Sequence, residues 1–226
     1  MWSSRTVSGK SIRCRNSRRF SCLLLFFLSV IFAACSRGGQ PSSLNLSAYL
    51  DTSLLEECDL IFRMGCGLES QAVVAADKSA MYSHVGLLVR EDGRWQVLHA
   101  VPGEEEDTGG EEVLKMDTLP LFLRPDRAVS VCVMRYDTSA EVLRQVREEA
   151  FRLYGKRLPF DHRYLLSDSS EVYCTEYVTR VFRKIGVELP EDRCHRFPMV
   201  DEDLVYPIDL TRNPHLKTIL HLSKKK

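Results

Sequence analysis

The chain has 226 residues, which is enough for one domain of ordinary size with a leader and too few for two comfortable domains. Its composition, 44% apolar and 27% charged, excludes a disordered or multi-span membrane chain. Residues 1–34 carry six bases and no acid, so the formal net charge of zero leaves −6 on the remainder. We therefore predict no nucleic-acid partner, because affinity for nucleic acid depends on neutralising phosphates.

The N-terminal segment has the features of an export signal. After the bases comes Cys22–Ala34, a run that is apolar except for Ser29. It is shorter than the ~20 residues of a membrane-spanning helix. Phe32-Ala33-Ala34-Cys35 resembles a bacterial lipobox, with Phe32 where Leu is usual. We predict a signal peptide at 1–34, a lipidated Cys35 with a linker at 35–53, and an envelope lipoprotein held on the bacterial membrane. Cleavage without a lipid, or an uncleaved anchor, is the alternative.

The predicted domain covers residues 54–226. Its first half is predicted to form strands around one helix. Branched and apolar residues predict strands, and good helix formers between them predict the helix. The predicted elements are a strand at Asp59–Phe62, a helix at Leu68–Asp77, a strand at Tyr82–Val89, a turn at Glu91–Gly93 and a hairpin partner at Trp95–Val101.

The second half adds two longer helices. An acidic loop at Gly103–Glu112 precedes a strand at Ala128–Arg135, and Thr138 or Ser139 caps a helix that runs to about Tyr154. A second helix covers Glu171–Ile185, and the segment from Pro190 onward reads as loops with a late edge strand. This mixture predicts an α+β fold in which an antiparallel sheet packs against helices.

Cys174 is the candidate nucleophile. It falls in the first turn of the second long helix, where unpaired backbone amides favour an anion and so favour a thiolate. The N–H of Cys174 itself can serve as one oxyanion-hole donor. A cysteine in an apolar helix is more often inert packing, so position alone does not establish the role.

Two histidines complete the candidate site. His84 lies in the strongest strand and would act as the base, and His99 at the end of the next strand would orient it. Pairing Leu87–Val89 with Trp95–Val97 puts Ala100 and His99 near His84. A slip by one residue would turn His99 to the other face.

Four segments resemble, in order and spacing, the permuted papain-like family of the YiiX/YaeF type, within the NlpC/P60 superfamily. They are Asp59-Leu-Ile-Phe62, Tyr82-Ser-His-Val-Gly86, Tyr154-Gly-Lys156 with Pro159-Phe-Asp161, and Tyr173-Cys-Thr-Glu176. The histidine precedes the cysteine, as in the permuted branch. The resemblance implies a permuted papain-like fold with Cys174 as nucleophile and His84 as base. Relatives of the YiiX type carry Glu at the third position, where this chain has His99.

Two neighbours of Cys174 are assigned a substrate or oxyanion role. Tyr173 either lines the site or is simply packed, and Glu176 follows the nucleophile on the same helix. No metal site and no cofactor are predicted, because Cys58 and Cys66 are too far apart for a zinc knuckle and Cys194-His195 has no suitably spaced partner. The odd number of cysteines after Cys35 requires one without an intrachain partner, and their pairing stays open.

Three functions remain open from the sequence. The first is a cysteine amidase or peptidase acting on a small cell-wall peptide or an acyl-amide through a thioester. The second is a lipid acyltransferase or thioesterase on the same Cys-His site, and the third is a catalytically inactive envelope binding module. None of them implies an obligate protein partner.

Overall fold

The structure is a computed structural model that describes residues 45–104, 110–190, 195–196 and 203–223. Its centre is a six-stranded antiparallel sheet in the order β4-β3-β2-β1-β5-β8. The strands are β1 (Leu60–Met64), β2 (His84–Glu91), β3 (Arg94–His99), β4 (Lys115–Thr118), β5 (Ser130–Tyr136) and β8 (Leu216–Ser223). β6 (His195–Arg196) and β7 (Asp203–Leu204) form a separate two-stranded sheet.

Five α-helices and two short 3₁₀ helices are described. The 3₁₀ helices are Leu46–Ala48 and Thr52–Leu54, and the α-helices are α1 (Leu68–Ala76), α2 (Leu119–Phe122), α3 (Ala140–Tyr154), α4 (Cys174–Lys184) and α5 (Pro207–Thr211). The Ser139 side chain accepts the N–H of Val142 and so caps α3. No helix of the described ranges is both long enough and apolar enough to cross a membrane.

The sheet has a hydrophobic core on each face. On one face, apolar residues of α3 and α4 such as Val146 and Val178 pack with Val85 and Leu87. On the other, Leu46 of the N-terminal segment packs with side chains that include Phe122 and Leu88. Alternate residues of β2 thus serve different cores, as the two-residue period of a strand requires.

The register of the β2–β3 hairpin differs from the estimate made from sequence. Leu87 pairs with Leu98 and Val89 with Gln96, so the estimate was wrong by one residue. Continuing the observed register puts His99 opposite Gly86, on the same face as His84. The shift therefore brings His99 to His84 instead of turning it away.

Most elements predicted from sequence are present, with ends that move by a few residues. The long helix predicted from Glu171 begins at Cys174, with Tyr173 as its N-cap residue. β4, α2 and α5 were not predicted. Part of the predicted linker is folded onto the domain, since Leu46 and Leu50 are buried. The predicted signal peptide and Cys35 lie outside the described residues.

Candidate active site

Cys174 is the first residue of α4, as expected for a nucleophile at a helix start. Cys174 is partly exposed and lines a cavity, and the backbone amides of Val85, Thr175 and Cys174 itself favour the thiolate. Burial of the thiol outweighs these amides and raises the pKa of Cys174 to about 11. The sulfur therefore rests as a neutral thiol beside the strand residue that follows His84.

The two histidines form a buried pair. His84 Nε2 lies 2.9 Å from His99 Nδ1, and the rings meet edge to face with centroids 5.1 Å apart. His84 is 5% exposed and His99 is fully buried. Burial, followed by the positive charge of Arg63, lowers the pKa of His84 well below its ordinary value. Both imidazoles are neutral at pH 7, since burial also lowers the pKa of His99.

A cluster of charged side chains lies beside the histidine pair, and we call it the charge cluster: Arg63, Glu104, Lys115, Asp117 and Arg127. All of them are buried except Glu104, whose side chain is 16% exposed. His99 Nε2 is 3.2 Å from Asp117 Oδ2, although the two are not aligned as a regular hydrogen bond. Lys115 Nζ and Arg127 Nη1 lie 3.0 Å and 3.1 Å from the same oxygen. Glu104 links Arg63, at 2.5 Å, to Arg127, at 3.0 Å. The acids and bases of the cluster therefore largely balance one another in a dry environment.

Phe122 and Gly86 determine the distance between the two histidines. The Phe122 ring centroid lies 5.7 Å from that of His84 and 5.0 Å from that of His99, and the Arg63 guanidinium stacks over it at 4.4 Å. A Cβ on Gly86 would lie 3.2 Å from His99 Cβ and 2.4 Å from Val97 Cγ1. A side chain at position 86 would therefore push β3, and His99 with it, away from β2.

One cavity of about 830 Å³ contains both Cys174 and His84 in its wall. This size is within the usual range of sites for small molecules. Much of the wall is apolar or aromatic, with Phe160, Tyr164, Leu165, Tyr173, Leu204 and Tyr206. Among the described contacts, the Cys174 sulfur makes no direct hydrogen bond to either imidazole. The structure thus brings the predicted nucleophile and base into one cavity without joining them.

Tyr173 and Glu176 have different positions. Tyr173 lines the cavity, is 3% exposed, and its hydroxyl accepts the N–H of Val205 at 3.5 Å. Glu176 is not part of the cavity wall: it accepts the N–H of Tyr173 at 3.3 Å and pairs with Arg180 at 2.5 Å. Burial raises the pKa of Glu176 to about 7. We interpret Glu176 as the cap of α4, and a role of either residue toward substrate stays a prediction.

The comparisons with known proteins identify the family of the chain. The family described as "Permuted papain-like amidase enzyme, YaeF/YiiX, C92 family" matches residues 56–220, well over half of the chain. The chain belongs to this family. The permuted papain-like amidases are cysteine hydrolases, so the predicted enzyme class is confirmed at the level of the family.

A solved structure shows the same fold. The crystal structure of "metalloprotein yiiX from Escherichia coli O157:H7" superposes with a TM-score of 0.60 at 22% sequence identity. The match covers 75% of this chain and 98% of that chain. Together with the six-stranded antiparallel sheet, it confirms the predicted permuted papain-like α+β fold. No curated protein matches the chain.

Sequence reasoning missed Asp117 and Arg63. Asp117 lies in Lys115–Thr118, a short run without the alternation that marks a strand, so β4 gave no signal. Arg63 directly follows the strand segment predicted at Asp59–Phe62 and pairs with His84 in the sheet. One feature of the sequence indicated that Arg63 belongs to the site: this arginine continues a buried strand next to the strand of the candidate base.

Proposed function

We propose that this protein is an exported, lipid-anchored cysteine amidase that cleaves an amide bond through a thioester on Cys174. The single observation that supports it best is the cavity that Cys174, at the start of α4, shares with His84. The family of permuted papain-like amidases supports the reaction type. The basic leader and the lipobox-like Phe32–Cys35 support export and anchoring.

In the proposed reaction, the Cys174 thiol and the His84 imidazole are both uncharged at the start. His84 takes the Cys174 proton as the sulfur attacks the amide carbonyl, because neither a stable thiolate nor an imidazolium exists beforehand. The N–H of Cys174 stabilises the oxyanion. The His84 imidazolium then protonates the leaving amine, and the C–N bond breaks to leave a thioester. His84 then removes a proton from water, which attacks the thioester carbonyl. The C–S bond breaks, and the His84 imidazolium returns the proton to the Cys174 sulfur.

An acyl-amide fits the cavity better than a polar wall peptide. The aromatic and aliphatic wall beside Cys174 offers contact to an apolar acyl chain, and the volume of about 830 Å³ holds a chain of moderate length. The same wall favours a second candidate function. If a lipid hydroxyl or amine replaces water as the acceptor, the thioester makes the protein a lipid acyltransferase.

A metal does not fit the described residues. The similar Escherichia coli protein is named a metalloprotein. Within the described part of this chain, no three His, Cys, Asp or Glu side chains converge as metal ligands. His84 and His99 each point one ring nitrogen at the other. A metal-free site remains a prediction.

The test is capture of the acyl-enzyme. The purified protein is incubated with decanoyl p-nitroanilide or an alanyl peptide p-nitroanilide, and p-nitroaniline release and the mass of acid-quenched protein are measured. We expect a decanoyl adduct on Cys174. Cys174→Ser and His84→Gln should lose at least about 100-fold in rate, as nucleophile and base act as a unit.

Cys58→Ala is the matched control, because Cys58 is a buried thiol outside the cavity. It should retain the rate within about threefold, as expected for a site distant from the chemistry. An adduct on another cysteine, or an active Cys174→Ser variant, would contradict the proposal. Transfer of the decanoyl group to added phospholipid would favour the acyltransferase.

A further inference from the structure

Asp117 gathers three donors on one carboxylate oxygen. Its Oδ2 lies 3.0 Å from Lys115 Nζ, 3.1 Å from Arg127 Nη1 and 3.2 Å from His99 Nε2, while Oδ1 has no hydrogen-bond partner among the described residues. The side chain is fully shielded from solvent. Two cations at this distance in a dry site hold Asp117 as an anion, which accepts hydrogen bonds and donates none.

The contact between His84 and His99 is compatible with two arrangements of protons. In the first, His84 Nε2 carries the proton and donates it to His99 Nδ1, so His84 Nδ1 has a lone pair. In the second, His99 Nδ1 donates to His84 Nε2, and the proton of His84 is on Nδ1. The 2.9 Å separation is the same for both. Only the first leaves His84 a nitrogen that can take a proton from Cys174.

We propose that Asp117 is a positioning residue that selects the first arrangement. Because the carboxylate is an acceptor, it keeps the proton of neutral His99 on Nε2, and Nδ1 must then accept from His84. The lone pair of His84 Nδ1 is thereby directed to the reaction. Asp117 touches neither substrate nor Cys174; it acts through His99. This inference rests on the proposed function for its consequence in catalysis, but the proton positions can be observed without any substrate.

The first arrangement of protons also suits the state in which His84 is a charged imidazolium. When His84 Nδ1 accepts the Cys174 proton, His84 Nε2 still donates to His99, so no proton has to move along the chain of groups. The long, poorly aligned contact of His99 with Asp117 is typical of a resting site that tightens when charge develops. The charged groups that act on the two histidines are Arg63, Lys115 and Asp117.

The direct experiment measures histidine tautomers by two-dimensional NMR of ¹⁵N-labelled protein at pH 7.5. The ring nitrogen shifts distinguish a proton on Nε2 from one on Nδ1. We expect both His84 and His99 to carry it on Nε2. A proton on Nδ1 of His99 in the native protein would overturn the proposal, whatever the activity is.

Variants separate the hydrogen bond from the charge. In Asp117→Asn, donation from Lys115 and Arg127 should hold the amide oxygen at the Oδ2 position facing His99, so the tautomer is kept and the rate of decanoyl transfer to Cys174 stays within about tenfold of the native rate. A double variant, Asp117→Leu with Lys115→Met, removes an acid and a base together. It should shift His99 almost wholly to the Nδ1–H form and lower kcat about 100-fold with KM within threefold, as for a triad with the wrong tautomer.

Asp59→Asn is the control for general loss of a buried acid. Asp59 is 1% exposed and pairs with Arg135 at 2.8 Å, away from the histidines. The Asp59→Asn variant should change the free energy of unfolding and leave the histidine tautomers and kcat unchanged. An unaltered His99 tautomer in the folded double variant would overturn the proposal. An inactive native protein with His99 protonated on Nε2 would instead contradict the proposed function and leave this assignment intact.

Discussion

Burial acts in opposite directions on the two reacting side chains. It raises the pKa of the Cys174 thiol to about 11, and together with Arg63 it lowers the pKa of His84 well below 6.5. Both shifts favour the uncharged form, because a dry site penalises charge. A thiolate–imidazolium ion pair is therefore not the resting state, and in the proposed mechanism the proton moves during the attack itself.

Alkylation by iodoacetamide should report this directly. Only the thiolate reacts, and at pH 7 a thiol with a pKa of about 11 is ionised in roughly one molecule in ten thousand. We expect the rate at Cys174 to rise about tenfold per pH unit from pH 7 to pH 10, measured by mass spectrometry of the labelled peptide. Glutathione serves as the unperturbed reference thiol. A rate that levels off below pH 8 would indicate a preformed ion pair and contradict this prediction.

At this scale the sequence predicted Cys174, His84 and His99 because each occupies a motif or a strong local pattern. It did not predict Asp117 or its contacts with Lys115 and Arg127. Charges of this kind have no periodic signature, and their meaning depends on which strands become neighbours.

Among the elements, the β2–β3 hairpin determines whether the histidines meet. At Gly86 the two strands leave no room for a side chain: an added Cβ would lie 2.4 Å from Val97 Cγ1 and 3.1 Å from Leu98 O. The backbone oxygen cannot move without disturbing the ladder. The second glycine-dependent feature of the hairpin is its turn, where Gly93 has φ of 75°.

Gly86→Ala should therefore cost about 1–3 kcal/mol of unfolding free energy, the usual range for overpacking a core. It should also displace His99 and weaken thioester formation. Urea unfolding and the decanoyl transfer rate measure the two effects. Gly155→Ala is the matched control, because its φ is −62° and an added Cβ comes no closer than 3.5 Å to other atoms. Equal stability of the two variants would contradict the prediction.

The strands and helices with strong periodic patterns were predictable, whereas the pairing register was not. A hairpin register depends on the turn geometry, and the prediction used a three-residue turn at Glu91–Gly93, whereas Glu91 pairs with Arg94 around the two-residue turn Asp92-Gly93. β4 and α2 were missed because four-residue elements are too short to show a period. These two elements carry Asp117 and Phe122, which surround the histidines.

Across the whole molecule, the sheet needs cover on both faces. α3 and α4 cover one face, and the segment before β1 contributes Leu46, Leu50 and Leu55 to the other. The residues that sequence reasoning assigned to a linker thus belong in part to the core. Short polar stretches with isolated leucines do not reveal this in sequence, since nothing local shows that a sheet face lies nearby.

A chain that begins at residue 54 should be less stable than one that begins at residue 45. The shorter chain loses Leu46 and Leu50, which are 1% and 6% exposed, and each buried leucine contributes about 1.5–3 kcal/mol. We expect a loss of at least about 2 kcal/mol in urea unfolding at 25 °C. A chain beginning at 45 with Tyr49→Ser, which alters an exposed side chain, is the control. Equal midpoints for the two lengths would show that the segment does not support the core.

The position of β4 in the sheet has a consequence for how the protein loses activity on mild denaturation. β4 is one of the two edge strands of the six-stranded sheet, with β3 as its only neighbour in that sheet. Outer strands open locally at a lower free-energy cost than central ones. When β4 separates, Asp117 leaves with it while the helices and the other five strands remain folded. Mild heat or denaturant would then first remove the proposed positioning of the histidines by Asp117, producing molecules that look native but have lost their chemistry.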